Sequence, residues 1–388
     1  MSIEVIPKTA VIPIEQYHNR LCEPVVSVGD NVLTGDVIAR SSDSAVPPVH
    51  ASISGAVSEI SMRSHPFGHS SKCVVITSDG KDRWVKSTVA QGLQQDILEK
   101  GIIESYGLHR LDMDRGADTV ILNGTDHRPY VFVDKAIMLE ERESVIVGLN
   151  LLMEAVGAKH GVIGINASDI NLIDAMRHEA VGRDIEIVGL KKEYTRGMSR
   201  LLSRDLSRQL KSRFKRAIVS RVPTARAVYQ AVELGRPFVE SYLSVYGAAE
   251  TAAVRARIGT SFQEVVGALG GYKGTPRQIV MNSPMTGVAQ HTDEVSVIRA
   301  TYALMIDYEV PIEEPAPCIR CAQCVDVCPV SLLPNMLGLY SRKGKFAECR
   351  SYHARACIEC GYCSYVCPSK IPLMQLIRHA KENLGAGT

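Results

Sequence analysis

Three rhythms of apolar and polar residues succeed one another along this chain. Between about residues 24 and 78 the period is two. Pro24 to Ala39 alternates apolar and polar positions around Gly29-Asp30 and Gly35-Asp36, and Val49 to Ile60 repeats the theme through Ile53, Gly55 and Val57. Alternation broken by Gly-Asp turns predicts an all-β module of short strands. From about 90 to 200 the rhythm changes. Thr119–Asn123, Gly161–Asn166 and Asp184–Val188 read as short strands, separated by helical periodicity over Ile137–Ala158 and a further helical stretch to His178. Strands alternating with helices predict a parallel sheet with ligand space at the strand ends. A smaller α/β unit is expected from about 217 to 300, running through Thr224–Pro237 into a strand-like Phe238–Tyr246. Thr260 or Ser261 opens its next helix, with Glu264 placed for a capping box. A Pro- and Glu-rich linker, Pro311–Pro317, then leads into a mostly helical segment over about 318–381.

Composition narrows the possibilities. A chain of 388 residues with 45% apolar content is long enough for several cores. A net charge of only +2 gives no reason to expect nucleic acid as a partner. The N-terminus lacks a basic start followed by an apolar signal core, and no run of apolar residues is long enough to span a bilayer. These features predict a soluble cytoplasmic protein that reaches a membrane only through a partner, at its inner face.

The chemistry is concentrated in two cysteine runs. Cys318, Cys321, Cys324 and Cys328-Pro329 form one, and Cys357, Cys360, Cys363 and Cys367-Pro368 the other. Both fit the C-x2-C-x2-C-x3-C-P pattern of paired 4Fe-4S clusters, in which the fourth cysteine ligates the other cluster. The pattern assigns Cys318, Cys321, Cys324 and Cys367 to one cluster, and Cys328, Cys357, Cys360 and Cys363 to the second. Structural zinc prefers two C-x2-C pairs, which this doubled spacing does not match. Of the remaining cysteines, Cys22 and Cys73 read as small core residues, and Cys349 is a candidate spare ligand between motifs that are already complete. His65, His69 and Cys73 have a spacing compatible with metal, but Pro66 and Gly68 between them favour a polar turn.

A basic stripe stands apart from these motifs. Arg196, Arg200, Arg204 and Arg208 recur every fourth residue, and Lys211, Arg213, Lys215 and Arg216 extend the run. Such spacing puts the charges on one helix face. It offers a dock for an acidic redox partner or an anionic phosphate, or else a solvated surface.

The order of these parts resembles a known family. The β module is similar to the barrel-sandwich hybrid of lipoyl and biotinyl carriers, but its tip, Arg40–Pro48, lacks the lysine those carriers modify. Together with Val28-Gly-Asp30, Asn123–Tyr130, Ile258-Gly-Thr260, Ser283–Gly287 and both cysteine motifs, it resembles the RnfC family of electron transport complex subunits over residues 20–380. The resemblance implies a multidomain α/β and α+β fold. A barrel-sandwich hybrid is expected over 1–85, a flavin-subunit-like α/β domain over 86–212, an SLBB-like β-grasp over 213–309 and a dicluster ferredoxin domain over 310–388. It also implies other members of such a complex as partners.

The departures from the family pattern carry as much weight. The family's glycine-rich phosphate loop is matched only by Gly101–Arg110, where Glu104, Tyr106 and Leu108 would crowd a phosphate. The acidic position of the next motif is Arg128, and a later Gly-Gly-Glu-Lys segment is replaced near Tyr194–Met198. The α/β domain is therefore expected to keep its fold without FMN or NADH. Were flavin retained, Asn123, Asp126 and Tyr130 are the residues to face it. The functional expectation is an electron-transfer subunit that passes single electrons through two 4Fe-4S clusters, with no catalytic side chain of its own. The alternatives are an FMN-containing NADH:acceptor oxidoreductase subunit, a corrinoid-reductase relative (whose modules come in a different order), and a scaffold with structural clusters.

Overall fold

The computed structural model describes residues 2–17, 21–86, 92–102, 116–191, 193–194, 197–211, 214–309 and 314–385. The chain divides into two compact units, Met1–Ser283 with Val288–Tyr308, and Pro284–Gly287 with Glu309–Thr388.

The first unit begins with β1 (Ile3–Val5), followed by the alternating β module. Its strands are β2 (Thr9–Pro13), β3 (Glu23–Pro24), β4 (Asn31–Val32), β5 (Val37–Arg40), β6 (Val49–His50), β7 (Gly55–Ser64) and β8 (Ser70–Ser78). They form two sheets, ordered β2-β8-β7-β4 and β3-β5-β6. Ile12, Ile38, Ile53, Val57, Val74 and Ile76 fill the space between them. Cys22 and Cys73 are buried, as their apolar neighbours imply. His65 to His69 is the turn of the β7–β8 hairpin, closed by backbone bonds from His65 to His69 and from Gly68 to His65.

The α/β layer contains α1 (Leu93–Glu99), β9 (Thr119–Gly124), α2 (Val133–Glu140), α3 (Arg142–Val156), β10 (His160–Asn166), α4 (Ile170–Glu179), β11 (Ile185–Leu190), α5 (Ser199–Gln209), β12 (Ala217–Arg221) and α6 (Val222–Val232). Its sheet runs β11-β10-β9-β12 and is parallel throughout. All six residues of β9 are buried, as expected for a strand covered on both faces. The sequence pattern places 217–232 with the smaller unit. Instead β12 pairs with β9, and Val222, Ala225 and Val228 of α6 join the core of α3. Its fourth strand sits next to its first, so the strand order reverses between β9 and β12 and opens a crevice at their C-terminal ends.

The β-grasp layer follows with β13 (Glu240–Tyr246), β14 (Ala252–Arg257), α7 (Phe262–Gly267), β15 (Gln278–Met281), β16 (Val288–Gln290) and β17 (Ala303–Asp307). The N-terminal β1 completes this sheet at its edge, in the order β1-β14-β13-β17-β15-β16. Helix α7 starts at Ser261, whose hydroxyl accepts from the Glu264 amide while the Glu264 carboxylate accepts from the Ser261 amide. That is the expected capping box.

Arg299 ties the three layers together. It is 1% exposed. Its guanidinium donates to the Phe238 carbonyl (3.1 Å), the Pro48 carbonyl (2.9 Å) and His50 Nδ1 (3.1 Å), and its amide donates to Gln16 Oε1 (2.9 Å). Burial and the adjacent Arg299 push His50 well below the usual imidazole range, so it stays neutral and accepts. Gly101 lies against the same guanidinium at φ +91°, where a side chain would be strained and would collide with it.

The second unit contains α8 (Gln323–Asp326), α9 (Pro334–Arg342), α10 (Phe346–Ser351), α11 (Tyr362–Tyr365) and α12 (Leu373–Asn383). Leu337, Cys349, Ile377 and Leu384 form its core. Cys349 is fully buried there, its thiol directed at the Leu337 carbonyl (3.7 Å), so it packs as a core residue.

Replacing Arg299 with Met keeps its length but leaves two buried carbonyls and His50 without a donor. At a cost of about 1–3 kcal/mol for each group left unsatisfied, Arg299→Met should unfold at markedly lower urea than the parent. A denaturation curve of the first unit measures it, and an unchanged midpoint would show that the clamp is dispensable.

Candidate functional site: two cysteine quartets and a polar crevice

Both cysteine motifs wind the same way, for the same local reasons. Arg320, Ala322 and Ser331 take left-handed backbone conformations (φ 59°, 64° and 55°), and so do their counterparts Glu359, Gly361 and Lys370 (φ 53°, 77° and 50°). The repeated reversals curl each loop so that its thiols face inward, and α8 or α11 then carries the chain away. Glycine is required only at 361. A Cβ there would lie 2.5 Å from the Met285 carbonyl oxygen.

The loops bring the cysteines together across motifs. Cys318, Cys321, Cys324 and Cys367 line one cavity of about 260 Å³, with Pro317, Arg320, Asn335, Arg342 and Ile371 among its other walls. Cys318, Cys321 and Cys367 are the thiols whose charges act on Cys324. The second group is equally mixed: Cys357, Cys360 and Cys328 act on Cys363. No group of three or more His, Cys, Asp or Glu residues among those described converges tightly enough for a single ion. Four thiols spread around a cavity suit a cubane better than tetrahedral zinc.

Exposure separates the two quartets. Each has two buried cysteines, Cys324 and Cys367 in one and Cys360 and Cys363 in the other, but Cys318 and Cys321 are exposed whereas Cys328 and Cys357 are half-buried. Burial pushes the Cys357 thiol up to about 11 and the Cys363 thiol up to about 12. Metal-free thiols at these positions are neutral, so loading iron there releases protons. Backbone amides already point at sulfur: Leu332 N–H to Cys328 Sγ (3.3 Å) and Glu359 N–H to Cys357 Sγ (3.4 Å). Ser369 Oγ donates to the Pro317 carbonyl (2.9 Å) and anchors the start of the first loop.

The crevice of the α/β layer is occupied by its own side chains. Asn123, at the end of β9, donates to the Gly197 carbonyl (2.6 Å), and its oxygen accepts from the Thr125 amide (3.1 Å) and hydroxyl (2.7 Å). Asp126 caps α2, accepting from the amides of Asp134 (3.1 Å) and Lys135 (2.9 Å). Arg128 donates to the Tyr302 hydroxyl, and both Arg128 and Arg221 stack over the Tyr302 ring at 5.0 Å. Arg221 in turn pairs with Asp134. Tyr130 is exposed, its ring 4.3 Å from that of Tyr246. Asn123 and Asp126 thus have their bonding capacity committed, and as arranged they do not fit a flavin chain. Arg128 Nε, Asp134 Oδ1 and His127 Nε2 find no partner, so the crevice's own side chains do not satisfy it completely. The glycine-loop counterpart from residue 103 onward lies outside the described residues.

A second cavity, of about 400 Å³, opens beside β11 and α5, with His127, Lys191, Glu193, Asp205 and Arg208 in its walls. Of the basic stripe, Arg204 and Arg208 are exposed on α5 while Leu202 and Leu206 face inward. Arg196, Arg213 and the side chain of Arg200 lie outside the described residues. The expected helical spacing therefore applies to the two described arginines of α5.

These features define a dicluster iron–sulfur protein on a flavin-subunit-like scaffold, and comparison with known proteins makes the class specific. Residues 2–81 match the RnfC barrel sandwich hybrid domain, 108–233 the Nuo51 FMN-binding domain and 317–371 the 4Fe-4S dicluster domain. A component of the ion-translocating oxidoreductase complex of Methanosarcina acetivorans is 33% identical, the match covering 98% of this chain and 93% of that one. Its counterpart in the Na(+)-translocating ferredoxin:NAD(+) oxidoreductase complex of Acetobacterium woodii is 32% identical, over 97% and 91%. The counterpart in the proton-translocating ferredoxin:NAD(+) oxidoreductase complex of Clostridium ljungdahlii is 31% identical, over 100% and 91%. The chain belongs to the RnfC family.

Sequence reasoning missed Arg299 and Asn335. Arg299 carries no local signal, because its partners come from three distant segments. Asn335 was findable, since aligning the two cysteine motifs puts it opposite Met374.

Burial, and the neighbouring Asp134, raise the Asp126 carboxyl well above the usual carboxylate range. A raised folded-state value contributes stability below the ordinary carboxylate range and loses it as pH rises through the raised value. Asp126→Asn keeps one acceptor for the helix cap and removes the buried charge. Its melting temperature should exceed the parent's at about pH 8, and the margin should vanish near about pH 4. A melting series across pH measures this, and a pH-independent difference would contradict it.

Proposed function

We propose that this chain is the electron-transfer subunit of a ferredoxin:NAD(+) oxidoreductase complex. In this reading Cys318, Cys321, Cys324 and Cys367 ligate one 4Fe-4S cluster and Cys328, Cys357, Cys360 and Cys363 the other. The observation that carries it is the cavity lined by three cysteines of one motif and the fourth of the next. When bound, the clusters supply one-electron chemistry. The protein supplies thiolates, amide donors to sulfur, and walls such as Ile371 and Leu373 that limit water. The names of the relatives, together with residues 317–371, support this assignment.

We further propose that the α/β domain has no FMN or NADH of its own. Support comes from the committed bonds of Asn123 and Asp126 and from Arg128 held against Tyr302. The match of 108–233 to an FMN-binding domain favours the second reading, in which FMN is bound and NADH is the soluble reactant. No helix among the described residues is long and apolar enough to cross a membrane. Membrane association then runs through the other members of the complex, at the cytoplasmic face. Arg204 and Arg208 on α5 suit an acidic redox partner.

An anaerobic preparation separates these readings. Iron and sulfide near about eight each, with no flavin band, are expected from two cubanes. Flavin that bleaches on adding NADH would replace the first reading with the second. Cys321→Ser should remove roughly half the iron and leave the other cluster spectroscopically intact. Equal loss of both clusters, or of neither, would sink the crossed ligand sets.

A further inference from the structure

The two cysteine motifs and the helices after them repeat position for position, so each residue near one quartet has a counterpart near the other. One pair reverses charge, one keeps it and one exchanges an amide for a thioether. Arg320 corresponds to Glu359, Arg342 to Lys381 and Asn335 to Met374. Arg320, Arg342 and Asn335 all line the cavity of Cys318, Cys321, Cys324 and Cys367, and among the described residues no carboxylate is in its walls. Both arginines are exposed. The side-chain oxygen of Asn335 is buried and has no hydrogen-bond partner. A half-turn of the amide puts its NH2 group there as a donor.

The other quartet is surrounded differently. Glu359 brings a negative charge, held by Arg378 (2.8 Å) and by Lys381, so those cations are already engaged. Lys381 also donates to the Cys357 carbonyl (3.2 Å). Met374 has no donor to offer.

We infer that Arg320, Arg342 and Asn335 make the cluster held by Cys318, Cys321, Cys324 and Cys367 the first of the pair to be reduced. This rests on the two-cluster reading above. Reduction takes one electron from a one-electron donor and turns one ferric iron ferrous, with no bond broken and no proton moved. The added negative charge is favoured by nearby cations, hydrogen-bond donors and open water, and disfavoured by burial. Backbone amides point at sulfur in both quartets, those of Leu332 and Glu359 at Cys328 and Cys357 in one and that of Asn335 at Cys324 in the other. They are neutral dipoles, and two full charges beside an exposed site outweigh them.

The test uses the full chain carrying both clusters, titrated anaerobically with dithionite and followed by electron paramagnetic resonance. The double variant Arg320→Gln, Arg342→Gln should disfavour the first reduction step about tenfold, about 59 mV for a one-electron couple, and leave the second in place. Asn335→Leu should move the same step in the same direction. Raising the salt concentration should narrow the gap in the parent protein by screening the exposed arginines. In Cys321→Ser the surviving step should be the second. A first step that ignores the variants and salt, or that survives Cys321→Ser, overturns the inference. Iron and sulfide analysis keeps the failures apart: a chain without clusters refutes the parent reading, and two clusters with an unmoved first step refute this one alone.

Discussion

A single buried cation with no carboxylate partner among the described residues holds the first unit together. Arg299 takes its acceptors from the barrel module at Pro48 and His50 and from Phe238 ahead of β13, while its own amide is held by Gln16. Burying a guanidinium costs several kcal/mol unless every donor is directed. The arrangement therefore tolerates only one relative placement of the segments that supply the acceptors. A neutral His50 is part of that constraint, since a protonated ring would present a second cation to the first. Apolar packing alone would have allowed the layers to slide, whereas directed bonds to carbonyls do not.

The same logic explains how a flavin-subunit-like scaffold can persist around a crevice that its own side chains fill. The order reversal between β9 and β12 leaves an opening that must be filled by something polar, because strand ends and helix starts meet there. Asp126 caps α2, Asn123 holds the Gly197 carbonyl, and Arg128 and Arg221 stack on Tyr302. Each side chain satisfies a backbone group or fixes a neighbouring layer. The site's residues thus contribute to the fold directly.

What the sequence made legible follows from range. The strands β9, β10 and β11, the Ser261–Glu264 capping box and the hairpin turn at His65–His69 are local patterns, and each stands where the pattern put it. The cysteine motifs were legible for a stronger reason: a cubane dictates the spacing of its thiolates, so chemistry is written into the chain at short range. The placement of β12 was not legible. Its pairing with β9 bridges nearly a hundred residues and depends on which sheet has a free edge, which no local rhythm encodes. β1 was illegible for the same reason, since its partner β14 belongs to the last third of the unit.

Repetition with altered charge is the most informative feature of the second unit. Two copies of one motif impose the same left-handed turns and the same inward-facing thiols, so the backbone supplies no asymmetry by itself. Any difference between the two quartets must come from what surrounds them. Exposure of Cys318 and Cys321, the exchange of Arg320 for Glu359 and the exchange of Asn335 for Met374 all act in one direction. Backbone amides meet sulfur in both quartets and do not divide them. A symmetric pair could hold an electron on either side, whereas an unequal pair holds it on the side where water and cations are. For a protein that hands electrons to a partner, that is also the side from which they can leave.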